Sequence, residues 1–178
     1  MTAALRIVPL APHHRPRWEF LYAGYAEFYR VTQTPEMRAR VWGWTQDPAH
    51  EVKGLIAEDA HGQAIGMAHY RPFARPLSAS TGCFLDDLFV DPAARGQRVA
   101  DALIDHLAAM ARERGWSVVR WITADDNYRG RGVYDRVAKL GAAQKGGIRH
   151  QALKVVSNRF SFNGTLHSVN HQISCFCP

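Results

Sequence analysis

Apolar residues recur at every third or fourth position in several stretches of the chain, which is the spacing of one face of a helix. The predicted helices are His14–Arg30, Pro35–Trp44, Ala100–Arg114 and Asp126–Lys139. Proline suits the first position of a helix, as at Pro35, and Gly115 follows the third helix as a residue that ends many helices. The pattern therefore predicts four helices with recognisable ends.

Shorter segments rich in β-branched and aromatic residues predict strands between these helices. The predicted strands are Leu5–Pro9, Val52–Glu58, Gln63–Tyr70, Gly82–Val90 and Ser117–Thr123. A turn over residues 59–62 joins the second and third strands, and Pro72 and Pro76 mark a loop after the third. This order of elements predicts an α/β (α+β) protein whose mixed central sheet has helices on both faces.

Length and composition favour one globular domain. The chain has 178 residues, of which 47% are hydrophobic. It contains no apolar run near the roughly 18 residues of a membrane span and no secretion-signal pattern at its start. Cys83 stands alone, and Cys175 and Cys177 are too close together to form a disulfide framework. The histidines do not have the spacing of metal ligands, so no metal site is expected. Together these features predict a cytoplasmic protein without a membrane partner.

The positive charge is unevenly distributed along the chain. The net charge is +6, yet residues 1–139 hold 18 Lys and Arg against all 16 Asp and Glu. The remaining +4 lies in residues 140–178, which contain no acidic residue. Because the body is nearly balanced, no nucleic-acid partner is expected.

Residues 140–178 also differ in composition from the body formed by residues 1–139. Three of the four asparagines of the chain lie there, and alanine becomes scarce. Apolar and polar residues alternate around Asn163-Gly164, which is typical of a terminal β-hairpin. A segment of foreign origin, from a shifted reading frame or a junction, explains the same composition, and both alternatives stay open.

A candidate phosphate-binding site lies between the strand that ends at Val90 and the helix that begins at Ala100. A short turn of small residues links them and contains Arg95 and Arg98. Free backbone N–H groups at the start of a helix attract anions, and Gly96 lets a ligand approach the backbone closely. The turn matches neither the dinucleotide-binding nor the Walker A pattern, so it is either another kind of phosphate site or a plain turn.

The segment from Phe89 to Ile104 resembles the acetyl-CoA-binding motif of the GNAT family of N-acetyltransferases, Arg/Gln-x-x-Gly-x-Gly/Ala. Asn127 and Tyr134, seven positions apart, are similar to a second signature of that family. The resemblance covers about residues 4–139 and implies the GNAT fold, with a mostly antiparallel sheet. Arg98 stands where the family has its central glycine.

This resemblance implies an enzyme that transfers an acetyl group from acetyl-CoA to an amine by direct attack. Tyr134 is then the expected general acid, and Asp86, with Asp87 as the alternative, the expected base. Adjacent residues of a regular strand point to opposite faces of a sheet, so at least one carboxylate is expected in a half-buried place where its pKa rises. The residues expected to bind acetyl-CoA are Leu88, Phe89, Val90, Arg95, Gly96, Gln97, Arg98, Val99, Ala100 and Asn127.

The strand around the two aspartates is most similar to that of the diamine and polyamine acetyltransferases, which implies a small primary amine as acceptor. Two alternatives stay open: acetylation of protein or peptide amines, and a non-catalytic module that only binds acyl-CoA. The family resemblance also implies a homodimer. The first two helices contain five notable aromatic residues, Trp18, Tyr22, Tyr25, Trp42 and Trp44. Most of them are expected in the core, and one or two are expected beside the amine.

Overall fold

Six strands form one sheet, in the order β1-β2-β3-β4-β5-β6. The computed structural model describes residues 5–124, 127–143 and 149–155. The strands are β1 (Arg6–Pro9), β2 (Lys53–Glu58), β3 (Ala64–Arg75), β4 (Ser80–Val90), β5 (Val118–Ala124) and β6 (Arg149–Val155). The helices are α1 (Arg15–Phe28), α2 (Pro35–Gln46), α3 (Val99–Glu113) and α4 (Tyr128–Ala143).

The sheet is mixed and mostly antiparallel, as predicted. β1 to β4 pair in antiparallel fashion along the chain, whereas β4 with β5 and β5 with β6 are parallel. A parallel pair needs a crossover connection, and α3 and α4 supply the two crossovers. Among the described residues, no helix has the length and apolar character that crossing a membrane requires.

Helices cover both faces of the sheet, which confirms the predicted architecture. On one face, α3 buries Leu103, Ile104 and Leu107 against residues of β4 and β5, and Tyr134 of α4 joins this cluster. On the other face, Trp18 of α1 and side chains of α2 form a second cluster over β2 and β3. Cys83 is fully buried in the first cluster, where it acts as a small core residue.

The prediction of a loop around Pro72 is wrong, because β3 continues through it to Arg75. Among the described residues, β2 pairs with β3 only as far as Tyr70, so beyond that residue β3 pairs with β4 alone. Proline lacks an N–H group and is tolerated in a strand segment that pairs on one side. Beyond α4, the next described residues form β6, a strand that the sequence pattern did not predict. The hairpin predicted around Asn163-Gly164 lies outside the described residues.

Candidate active site

The sheet opens between β4 and β5. These strands pair from Cys83 to Leu85 with residues 119–121, although β4 continues to Val90. A cavity of about 780 Å³ is lined by the end of β4, the start of α3, one face of α4 and the end of α1. The separation of two parallel strands therefore creates room for a ligand at their carboxyl ends.

The cavity brings together most of the residues predicted to bind acetyl-CoA. Gln97 is exposed and is not part of the lining, whereas Tyr134, the predicted general acid, is part of it. The predicted residues in the lining are Leu88, Phe89, Val90, Arg95, Gly96, Arg98, Val99, Ala100 and Asn127.

The start of α3 presents uncapped backbone N–H groups to this cavity. Val99, Ala100 and Asp101 form the first turn and all line the cavity, and the N-cap residue Arg98 makes no capping hydrogen bond with its side chain. Unsatisfied N–H groups and the helix dipole together attract a phosphate. This end of α3 can therefore hold a pyrophosphate.

Arg98 adopts a backbone conformation that glycine prefers. Its φ of 59° and ψ of 26° lie in the left-handed region, where a Cβ atom is strained. Its side chain is 70% exposed and approaches Asp101 at 3.6 Å. The departure from the family motif therefore leaves the turn intact but strained.

An ion pair ties α3 to α4 across the cavity wall. Arg136 donates two hydrogen bonds of 2.9 Å to the two carboxylate oxygens of Asp101. Burial acts to raise the pKa of Asp101, but the hydrogen bond and charge of Arg136 hold it below its ordinary value. Asp101 therefore keeps its charge without repelling a neighbouring phosphate as an isolated carboxylate would.

Asn127 caps α4. Its side-chain oxygen accepts a hydrogen bond from the N–H of Gly130, and its amide group donates to Thr123 at 3.1 Å and to Tyr29 at 3.4 Å. Asn127 thus connects the end of β5, α4 and α1 at the mouth of the cavity.

Tyr134 is buried in the cavity wall. It is 8% exposed, and its ring centre lies 5.0 Å from that of Trp121. Burial raises the pKa of Tyr134, and the neighbouring Tyr29 adds to this effect. The hydroxyl therefore keeps its proton, which a general acid must donate.

A bulge in β4 places the two aspartates on the same face of the sheet. In the pairing of β3 with β4, Asp86 is the extra residue without a partner. Asp87 contacts His69 and Asp86 contacts Arg71, and those two partners are two residues apart on β3, so they share a face. The prediction that Asp86 and Asp87 face opposite sides is therefore wrong.

Asp87 ends a buried chain of hydrogen bonds. The indole N–H of Trp18 donates to Nε2 of His69 at 2.9 Å, so the proton of His69 is on Nδ1, which lies 2.8 Å from Asp87. Burial and the charge of Asp87 raise the pKa of both Tyr22 and Tyr25. The sequence pattern identified these aromatic residues as candidates beside the amine. It did not identify His69, because a single histidine within a strand belongs to no recognisable motif.

Asp86 has a weaker partner. Arg71 Nε lies 3.3 Å from both of its carboxylate oxygens, and the buried Oδ2 has no hydrogen-bond partner among the described residues. Burial raises the pKa of Asp86, Asp87 adds to the effect, and Arg71 only partly offsets it. Asp86 is thus a carboxylate that accepts a proton more readily than an ordinary aspartate.

A second cluster, away from the cavity, contains His13, His14 and Glu58. Nδ1 of His14 accepts a hydrogen bond from the backbone N–H of Ala11, so its Nε2 carries the proton and donates to Glu58 at 3.0 Å. A protonated nitrogen cannot ligate a metal, and this arrangement is a structural hydrogen bond.

Comparison with known proteins identifies the family. The family model of the GNAT acetyltransferases matches residues 18–138, which include the cavity, the β4 bulge and Tyr134. The chain belongs to the GNAT family. It is therefore an acetyl-CoA-dependent N-acetyltransferase, and the predicted cosubstrate is confirmed.

Three relatives illustrate the range of this family. The D-amino-acid N-acetyltransferase HPA3 of Saccharomyces cerevisiae is 29% identical over 130 residues, which are 72% of this chain and 81% of that protein. A ribosomal-protein-alanine N-acetyltransferase from Brucella melitensis is 26% identical, with a TM-score of 0.65 over 75% of this chain and 90% of that one. The aminoglycoside N-acetyltransferase AAC(6')-Iy, solved with CoA, shares the fold at 20% identity and a TM-score of 0.65, over 77% and 88% of the two chains.

Proposed function

We propose that this GNAT enzyme acetylates the primary amine of a small molecule, which attacks the thioester of acetyl-CoA directly. The observation that carries the proposal is the pair of carboxylates at the β4 bulge, immediately before Leu88 in the cavity wall. Such a pair attracts an ammonium ion and can accept its proton. The relative named for D-amino acids supports a small acceptor, whereas the diamine and polyamine branch stays a prediction.

Acetyl-CoA binds, in this proposal, with its pyrophosphate at the start of α3. The N–H groups of Val99 and Ala100 bind the phosphate oxygens, and Arg95 contributes positive charge. The end of β4, from Leu88 to Val90, lies beside the acyl-bearing arm.

Asp86 is the proposed base. Its raised pKa and the exposed third of its side chain suit a group that takes a proton from the ammonium ion. Asp87, which His69 holds in place, attracts the same cation.

The reaction needs no covalent enzyme intermediate. Asp86 first takes one proton from the ammonium ion, and the neutral amine nitrogen forms a bond to the thioester carbon. As the carbon–sulfur bond breaks, Tyr134 protonates the departing thiolate. The second proton that the nitrogen loses returns to Tyr134, and Asp86 releases its proton to solvent. Burial raises the pKa of the Cys83 thiol to about 12, which leaves it without a nucleophilic thiolate.

The test separates chemistry from binding. Tyr134→Phe is expected to lower kcat about 100-fold, because it removes the proton donor, while the affinity for acetyl-CoA is unchanged. Thiol release measures turnover, and calorimetry with a phosphate control measures binding. Tyr128→Phe is the matched control, since Tyr128 lies on the same helix, is 75% exposed and is outside the cavity lining.

Other outcomes identify the alternative functions. Acetyl-CoA binding without turnover of any amine would favour the non-catalytic module. Faster acetylation of a peptide N-terminus than of small amines would favour a protein N-acetyltransferase. A homodimer in the cytoplasm, where acetyl-CoA is available, completes the proposal, and sedimentation equilibrium tests the oligomeric state.

A further inference from the structure

Arg71 lies beside the proposed base on the same face of the sheet. Its guanidinium carbon is 5.1 Å from the centre of the Phe84 ring, so the group packs over that ring. About a third of the side chain is exposed, as is that of Asp86. The site therefore presents a cation as well as two carboxylates to an incoming acceptor.

The contact between Arg71 and Asp86 leaves most of the guanidinium unused. Within the described residues, Asp86 is the carboxylate that Arg71 meets, and it does so through Nε at 3.3 Å. By contrast, Arg136 binds Asp101 through two hydrogen bonds of 2.9 Å. A guanidinium has five N–H donors in a planar fork that matches a carboxylate, so Arg71 can still bind one from the solvent side.

We infer that the acceptor is an α-amino acid, whose carboxylate binds Arg71 while its amine lies beside Asp86 and Asp87. This inference rests on the proposed function and names the substrate class of the same site. The amine and carboxylate of an α-amino acid are attached to one carbon, so they suit neighbouring charges of opposite sign. A diamine would instead bring a second cation toward Arg71.

Binding of the amino acid also prepares the base. When Arg71 turns to the carboxylate of the substrate, Asp86 loses part of the nearby positive charge that lowers its pKa against the effect of burial. Asp86 then accepts the amine proton more readily. An amine without a carboxylate leaves the pair of Arg71 and Asp86 in place and gains no such activation.

The experiment compares alanine, alaninamide and putrescine as acceptors, with both enantiomers of the first two. Rates are compared at equal concentrations of unprotonated amine, since alaninamide is the weaker base. Alanine is expected to have a kcat/KM roughly tenfold or more above that of alaninamide, because only alanine offers a carboxylate to the guanidinium. Putrescine is expected to be the poorest of the three.

Arg71→Leu is expected to remove the preference for alanine while turnover of alaninamide persists. Arg71→Lys keeps the charge without the fork and should retain part of the preference. Arg75→Gln is the matched control, because Arg75 lies on the same strand and donates to Ser117, away from Asp86. Thermal unfolding verifies that each variant is folded.

Three results would overturn the inference, and they are distinguishable. If alaninamide or putrescine equals alanine in the unchanged enzyme, the acceptor is an amine without a recognised carboxylate, and the proposed function survives. If no amine causes thiol release although acetyl-CoA binds, both the proposed function and the inference that rests on it are wrong. Selectivity for alanine that persists in Arg71→Leu also contradicts the role of Arg71.

Discussion

At the scale of single residues, the two aspartates of the site differ in how well neighbouring side chains hydrogen-bond them. Asp87 is held by His69 at 2.8 Å, whereas Asp86 has one oxygen without a hydrogen-bond partner among the described residues. Burial raises the pKa of Asp86, so the folded protein holds that proton more tightly than the unfolded chain. A group of this kind destabilises the fold once it ionises.

Asp86→Asn is therefore expected to raise the melting temperature at neutral pH while it lowers kcat. The folded-state pKa lies above the unfolded value, so stability falls as pH rises between the two. The gain in the variant should be absent below the ordinary pKa of aspartate and complete above the folded pKa. Melting curves from pH 3 to pH 8 measure it.

Asp105→Asn is the control, because Asp105 is exposed on α3. It should leave the melting temperature unchanged across this range. If Asp86→Asn is instead less stable than the original at neutral pH, Asp86 serves mainly as a partner of Arg71.

At the scale of elements, the start of α3 combines a proposed phosphate site with a strained backbone. Arg98 adopts a φ of 59°, while Arg95, three residues earlier, is extended with a φ of −66°. A left-handed residue with a Cβ costs about 1–2 kcal/mol relative to the ordinary helical region. The exposed ion pair of Arg98 with Asp101 recovers little of this.

Arg98→Gly is expected to stabilise the protein by about 1 kcal/mol, because glycine adopts the left-handed conformation without strain. The same variant should bind acetyl-CoA more tightly, since the Cβ no longer limits approach to the backbone. Urea unfolding and calorimetry measure the two effects.

Arg95→Gly is the matched control for stability. At this extended residue glycine only increases the entropy of the unfolded chain, so a loss of stability is expected. Equal losses of stability in Arg98→Gly and Arg95→Gly would mean that the left-handed backbone of Arg98 carries no strain.

The sequence predicted the types of element well and their irregularities poorly. Pro35 begins α2, and Thr34 accepts a hydrogen bond from the N–H of Met37, as helix signals predict. A bulge leaves no such signal, since one extra residue at Asp86 changes the face of a side chain without changing the apolar pattern. His69 acquires its role only when β3 aligns with β4, which local sequence does not encode.

At the scale of the whole molecule, the two crossover helices α3 and α4 line the same cavity. Asp101 of α3 and Arg136 of α4 join these helices, and both line the cavity. The folded-state pKa of Asp101 lies below its ordinary value, so the pair stabilises the protein above that value and loses the effect in acid. The cavity thus depends on a contact between distant parts of the chain.

Arg136→Met is expected to lower the melting temperature at neutral pH, because it leaves the buried carboxylate of Asp101 with the exposed Arg98, at 3.6 Å, as its ion-pair partner among the described residues. The difference from the original should shrink as pH falls below the ordinary aspartate range. The increase in melting temperature on adding acetyl-CoA should also be smaller, since α3 and α4 no longer hold one geometry.

Arg112→Met, an exposed change on α3, is the control and should behave like the original protein. A full thermal response to acetyl-CoA in Arg136→Met would mean that the pair supports the fold but not the cavity.

Tyr25 belongs to two places at once. It lines the cavity proposed for acetyl-CoA, and burial and the nearby charge of Asp87 raise its pKa. A ligand in the cavity therefore contacts a side chain that also lies beside the proposed position of the acceptor. We therefore expect the two substrates to be thermodynamically coupled, each changing the affinity of the enzyme for the other by the same factor. We also expect catalysis through a ternary complex, in which the first substrate to bind helps to select the second.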